Sequence, residues 1–150
     1  MRQLLILILW LPVVVLAEPY QLLRSAPDGF APVTPGRVFD FPADHLPHPA
    51  FRIEWWYLTA NLRDEEGRPV SVQWTLFRQS MDPGPDTSGW SSNQVWMAHA
   101  AVSMDGQHEH EERFARGGIG QAGVAFDDQR RFSAWLDDWH WQATGAENRR

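Results

Sequence analysis

The stretch Arg52–Thr59 reads RIEWWYLT, and it places one carboxylate directly beside three aromatic residues. Its residues alternate as they do in a β-strand, so Trp55 and Tyr57 share one face. Glu54 and Trp56 share the other face. A charged side chain in so apolar a strand indicates either a functional site or a paired structural charge, and the rest of the sequence has to separate the two.

Similar alternating segments follow this strand, and turn signals such as Asp64-Glu65-Glu66-Gly67 and Asp105-Gly106 separate them. No convincing 3.6-residue apolar stripe follows residue 17, so we predict an all-β, antiparallel barrel or sandwich. The predicted strands are residues 52–62, 69–78, 94–104, 108–116, 124–126 and 132–142. Because closing a barrel takes about eight strands, we expect an incomplete barrel, with the chain either a fragment or covered at its open edge by a partner.

The last predicted strand, residues 132–142, is treated as one continuous element. Its alternation puts Trp139 and Trp141 on the face of Asp137, with Asp138 on the opposite face.

The N-terminus has the pattern of a secretory signal peptide, which we assign to residues 1–17. Arg2 precedes an apolar run from Leu4 to Leu16, and Ala17 offers a small residue at the cleavage position. We therefore expect an exported protein, periplasmic or secreted, with an uncleaved membrane anchor as the alternative.

Amino-acid composition indicates how the chain is organised and which classes of function it excludes. Residues 18–50 contain seven prolines and predict an extended arm, whereas residues 51–150 contain the strands of the barrel. The net charge of −6 argues against nucleic-acid binding. The absence of cysteine excludes disulfides, a thiolate nucleophile and a lipid anchor on cysteine. Nine tryptophans indicate an aromatic core or an apolar pocket.

Glu54 is the first candidate catalytic residue. If its face is the interior, burial would raise its pKa and allow it to act as a general acid. The alternative is an ion pair with Arg78, Arg113 or Arg116, which is favoured because an unpaired buried carboxylate is costly.

The sequence pattern gives less support to the remaining candidate catalytic and metal-binding residues. His99 lies on an apolar strand and is either a catalyst or a hydrogen-bonded structural histidine. Asp138 belongs to an acid–base set close to the last strand. The spacing of His45 and His48 suits two ligands of one metal ion, although zinc would need further ligands; we expect no metal and no other cofactor.

Several segments in the same order resemble the lipocalin-like family that contains carotenoid 1,2-hydratase and the AttH-type secreted proteins. The resemblance covers most of residues 39–141 and implies the first of two tandem lipocalin-like barrels. The AttH-type branch is the closer one, because it is typically secreted and because Phe77-Arg78-Gln79-Ser80-Met81 departs from the hydratase pattern. The matching segments are FPADHLPHPAFRIEWWYLTANL, GRPVSVQWTLFR, WMAHAAVS, ERFARGGIGQAG and WLDDW.

Two functions follow as expectations. The first is binding of a lipid or isoprenoid-like molecule, with the resemblance implying envelope lipid or lipoprotein transport beside an ABC exporter of the lipoprotein-release type. The second is an enzyme, either a hydratase that protonates an isoprenoid double bond through Glu54 or a hydrolase. The predicted ligand-binding residues are Trp55, Trp56, Tyr57, Trp74 and Trp96.

Overall fold

Two antiparallel sheets form the protein in the computed structural model, which describes residues 29–143. The first sheet has the order β1-β2-β3-β4 and the second has the order β5-β6-β7, each a simple meander. The strands are β1 Ile53–Arg63, β2 Pro69–Ser80, β3 Gln94–Met104, β4 Gln107–Arg116, β5 Ala122–Phe126, β6 Phe132–Leu136 and β7 Trp139–Gln142. This confirms the predicted all-β, antiparallel class, and the two sheets do not close into a barrel within the described residues.

The segment before β1 contains no strand in residues 29–52, and its one regular element is a short 3-10 helix, Ala43–His45. A second 3-10 helix, Gly89–Ser91, lies between β2 and β3. Neither helix is long and apolar enough to cross a membrane. The predicted signal peptide lies outside the described residues.

The face of the first sheet that carries Trp56 is the interior. Trp56 lies opposite Leu76 on β2, and Leu76 lies opposite Ala98 on β3. Strand β6 packs across this face against β2, β3 and β4. The buried core residues are Leu76, Trp96, Ala98, Ala115, Ala122, Val124, Ala134 and Leu136.

The prediction of one continuous strand over residues 132–142 is wrong. The chain reverses at Asp137, whose φ is +52°, so that β6 and β7 form a tight hairpin. The reversal puts Trp139 opposite Leu136 and Trp141 opposite Ala134, and it therefore turns both tryptophans toward the core cluster. Two adjacent aspartates are compatible with a turn, since Asp tolerates the left-handed region better than most residues.

In the β1–β2 and β5–β6 turns, an aspartate side chain accepts the same set of hydrogen bonds. Asp64 accepts hydrogen bonds from the backbone N–H groups two and four residues later, and from Nε of Arg68 at 2.7 Å. Asp127 does the same with its own turn, including Nε of Arg131 at 2.7 Å. The fourth residue is left-handed in both turns, but it is Gly67 in one and Arg130 in the other.

We expect Arg130→Gly to raise the free energy of unfolding by about 0.5 kcal/mol. Relief of a left-handed non-glycine residue, worth about 1–2 kcal/mol, outweighs the added entropy of the unfolded chain. Urea denaturation measures the change. Gly67→Arg is the matched control and should lower stability, whereas a destabilised Arg130→Gly protein would contradict the interpretation.

Candidate functional site

An apolar cavity of about 400 Å³ opens beside β1, between that strand and the β6–β7 hairpin. We call it the aromatic cleft. Five aromatic rings line it, and three of them come from consecutive residues of β1. Because these alternate in direction, the cleft reaches around the unpaired edge of the first sheet. The lining residues are His45, Trp55, Trp56, Tyr57, Phe132, Trp141 and Ala143.

The rings on the interior side of the cleft support one another. Trp56 stacks on Trp96 with ring centroids 5.8 Å apart. Trp141 meets Phe132 edge-on at 5.3 Å and Trp74 at 5.9 Å. Such offset and edge-to-face pairs are the favoured arrangements of aromatic side chains, so they hold the wall of the cleft in place.

The polar atom of Trp56 is also satisfied. Its Nε1 donates to the backbone carbonyl of His45 at 2.8 Å, which ties the 3-10 helix Ala43–His45 to the first sheet. The indole therefore presents hydrocarbon to the cleft while its N–H group is used elsewhere.

Glu54 forms an ion pair with Arg78, its neighbour across β1 and β2. Nε of Arg78 donates to Oε2 of Glu54 at 2.9 Å, and the Arg78 side chain is only 2% exposed. The same guanidinium donates to Oε1 of Gln94 at 2.6 Å. It also donates to the carbonyls of His48 at 3.0 Å and Phe51 at 2.7 Å. We call these five residues the Glu54–Arg78 clamp.

His48 completes the clamp from the other side. Its backbone N–H donates to both carboxylate oxygens of Glu54, and its Nδ1 lies 2.6 Å from Oε1. Its Nε2 lies 2.9 Å from Oδ1 of Asp44, which also pairs with Arg37. The pKa of Asp44 is lowered to about 2, first by the backbone N–H of Asp40 and then by hydrogen bonding to His48.

Of the three arginines predicted as partners of Glu54, the structure pairs it with Arg78. Arg113 instead pairs with Asp138, and Arg116 donates to the carbonyl of Trp90. Both oxygens of Glu54 are occupied as hydrogen-bond acceptors, so the geometry is that of a structural carboxylate that anchors the segment before β1 to the sheet.

The predicted catalytic residues lie apart from one another. Glu54 is on the interior face, whereas His99 is on the outer face, where its Nε2 lies 3.6 Å from Glu112. Asp138 is in the β6–β7 turn with its side chain 79% exposed, and its pKa is lowered by the hydrogen bond from Arg113. The structure therefore assembles no catalytic group from these three side chains.

The predicted ligand-binding tryptophans separate into two sets. Trp56, Trp74 and Trp96 share the interior face, as the alternation of their strands requires. Trp55 and Tyr57 point to the outer face but border the aromatic cleft at the edge of β1.

Sequence reasoning missed Phe132 and Trp141 as lining residues. The turn at Asp137 hid Trp141, because a continuous strand would have placed it on a different face from the core residue Ala134. Phe132 shares the face of Ala134 by simple alternation, which was the signal that could have found it. The adjacent aspartates Asp137 and Asp138 between two apolar segments were the signal that could have found the turn.

The weak metal candidates do not form a cluster. His48 has both ring nitrogens against carboxylates, and the His45 ring packs near Phe41 and Phe132. Within residues 29–143, no group of three or more His, Cys, Asp or Glu side chains is placed to hold a metal ion.

Two packed antiparallel meanders with an aromatic cleft at their edge define the class, a lipocalin-like all-β domain that is not closed within the described residues. The AttH-like family model matches residues 32–150, and the chain belongs to that family. No curated protein matches the chain.

Among solved structures, the chain is similar to the crystal structure of a Nitrosomonas europaea protein assigned to AttH. The two share 28% sequence identity, with a TM-score of 0.53. The match covers 75% of this chain and 39% of that chain, so this chain spans well under half of the solved protein's length.

We expect Arg78→Met to lower the free energy of unfolding by about 3 kcal/mol, because it leaves buried carbonyls and the Glu54 carboxylate without their cation. Arg68→Met is the control, since Arg68 is half exposed and surface ion pairs contribute about 0–1 kcal/mol. Urea denaturation of both variants measures the two losses in the free energy of unfolding. Equal losses in the two proteins would show that the clamp is no stronger than a surface pair.

Asp44 gives a pH-dependent prediction. Its pKa is lowered from 3.8 to about 2, so the charged form stabilises the fold above about pH 4, and this stabilisation is lost as pH falls toward 2. The stability gap between the wild type and Asp44→Asn should therefore shrink across that range.

Urea denaturation at pH 5, 3.5 and 2.5 measures the gap. Asp128→Asn is the control, because Asp128 is exposed in the β5–β6 turn and has no hydrogen-bond or ion-pair partner within residues 29–143. Its gap should not change with pH, and a constant gap for Asp44→Asn would contradict the assignment.

Proposed function

We propose that this protein binds a hydrophobic small molecule, a lipid or an isoprenoid-like compound, in the aromatic cleft. The observation that carries the proposal is the lining itself: five aromatic rings surround about 400 Å³, and no Asp, Glu, Lys or Arg is among the lining residues. Small-molecule sites are typically concave, apolar and about 300–1,000 Å³ in volume. The cleft has that size and chemistry.

Exposure of the rings supports the same reading. Tyr57 is 65% exposed and Trp55 is 56% exposed, although each ring buries a large apolar area when covered. Covering apolar surface stabilises a complex by about 25 cal/mol per Å² before the costs of association are subtracted. A hydrophobic ligand at the edge of β1 would gain from these rings without any rearrangement of the core.

We further propose that the protein acts after export, in the periplasm or outside the cell, in envelope lipid or lipoprotein traffic with an ABC exporter of the lipoprotein-release type. The N-terminal apolar run, Leu4–Leu16, supports the export step. The exporter partner rests on the resemblance to the secreted AttH-type proteins.

Hydration of an isoprenoid double bond is less well supported than binding. The reaction needs a carboxylic acid that carries a proton and faces the ligand. Glu54 instead directs both oxygens at Arg78 and His48, so no specific observation favours this residue as the acid.

The binding proposal predicts that Trp141→Leu weakens the affinity for cis-parinaric acid roughly tenfold, the equivalent of about 1.4 kcal/mol of lost apolar contact. Trp90→Leu is the matched control, because Trp90 is 75% exposed and lies outside the cleft. Fluorescence titration of the two variants and the wild type gives the affinities.

A second lining variant separates binding from folding. Tyr57→Ala removes a largely exposed ring, so it should weaken binding while leaving the urea denaturation midpoint almost unchanged. A wild-type protein that binds neither the fatty acid nor an isoprenoid alcohol such as farnesol, or variants that bind as tightly as the wild type, would overturn the proposal.

A further inference from the structure

A second cavity, of about 460 Å³, lies on the interior face of the first sheet, toward the end of the sheet away from Glu54. Part of its wall is apolar and comes from β2, β3 and the start of β7. Two carboxylates stand on the adjacent strand β4. We call this cavity the acidic groove, and the side chains that matter are Val72, Trp74, Val102, Trp139, Glu109 and Glu111.

The register of β3 and β4 places both glutamates on the interior face. Glu109 lies opposite Val102, and Glu111 lies opposite Ala100. The same alternation carries Ala115, which is buried in the core. The two carboxylates therefore stand beside the apolar wall and not on the outer surface of the sheet.

Neither carboxylate has a hydrogen-bond or ion-pair partner among residues 29–143. The one cation on the same face of β4 is Arg113, whose guanidinium carbon lies 4.4 Å from the centroid of the Trp139 ring and which is paired with Asp138. His110, between the two glutamates, also borders the groove. Its ring points to the opposite face of the sheet, where it stacks with the ring of His108. The charge that this strand presents to the groove is therefore negative.

We propose that the acidic groove binds a cationic amphiphile, a molecule with an alkyl chain and an ammonium or similar positively charged head. The alkyl chain would cover Val72, Val102 and the tryptophan rings, which removes apolar surface from water. The head would lie by Glu109 and Glu111, whose uncompensated charge attracts a cation and repels an anion. An anionic fatty acid is disfavoured in this groove for the same reason.

This site is separate from the aromatic cleft, because the two cavities share no lining residue. Failure of one proposal therefore leaves the other standing, and different variants test them.

The experiment compares three ten-carbon probes on the full chain: decyltrimethylammonium, decanol and decanoate, each below its micelle concentration. Isothermal titration calorimetry at low salt measures affinity for the wild type, for Glu109→Gln/Glu111→Gln and for Glu112→Gln. Glu112 is the control, since it is on the same strand but faces the outer surface with His99. Tyr57→Ala reports whether the cation uses the aromatic cleft, because Tyr57 lines that cleft and does not line the acidic groove.

We expect the wild type to bind the ammonium probe roughly three- to tenfold more tightly than decanol, the range that two exposed carboxylates supply. The preference should disappear in the double glutamine variant, persist in Glu112→Gln and Tyr57→Ala, and shrink in 0.5 M salt because exposed charges are screened.

Three results would overturn the proposal. Equal affinity for decanol and the ammonium probe would show that the carboxylates do not select the head group. A preference that survives in the double glutamine variant would assign it to the overall negative charge. Loss of ammonium binding in Tyr57→Ala would place that probe in the aromatic cleft.

Discussion

The arrangement of the site depends on the ion pair between Glu54 and Arg78. A guanidinium that is 2% exposed needs hydrogen-bond partners, and each of its three nitrogens has at least one here: one carboxylate, one amide and two backbone carbonyls accept from them. The pair forms only when β1 and β2 are in one register, because a shift of one residue would send Glu54 to the outer face. The strand register that buries Trp56 is therefore also the register in which Glu54 and Arg78 form their ion pair.

The clamp also explains why an irregular, proline-rich segment has a defined position. Residues 48–51 have no strand partner, yet Glu54 accepts from the backbone N–H of His48, and Arg78 donates to the carbonyls of His48 and Phe51. His45 then lies where its carbonyl accepts the Trp56 indole and its ring borders the aromatic cleft. A charged pair at the end of the sheet therefore positions an apolar site next to it.

The interior face of the first sheet changes character along its length. It begins with the clamp, continues through the stacked rings of Trp56 and Trp96, and ends beside Glu109 and Glu111. The polar groups at the two ends differ in kind: the first set is fully partnered and structural, while the second has no partner among the described residues. This difference is why the clamp anchors the fold and the acidic groove is a candidate for a ligand.

The sequence alone determined the β class, the first four strands and the hairpins at Asp64 and Asp105, because period-two alternation and turn residues are local properties. It also limited the partner of Glu54 to three arginines, of which only Arg78 lies across from it. Tertiary structure decided three further features. These are the choice of the interior face, the reversal at Asp137 and the cleft that includes Phe132 and Trp141. Alternation shows that two faces differ, but only the packing of one sheet on another decides which face is buried.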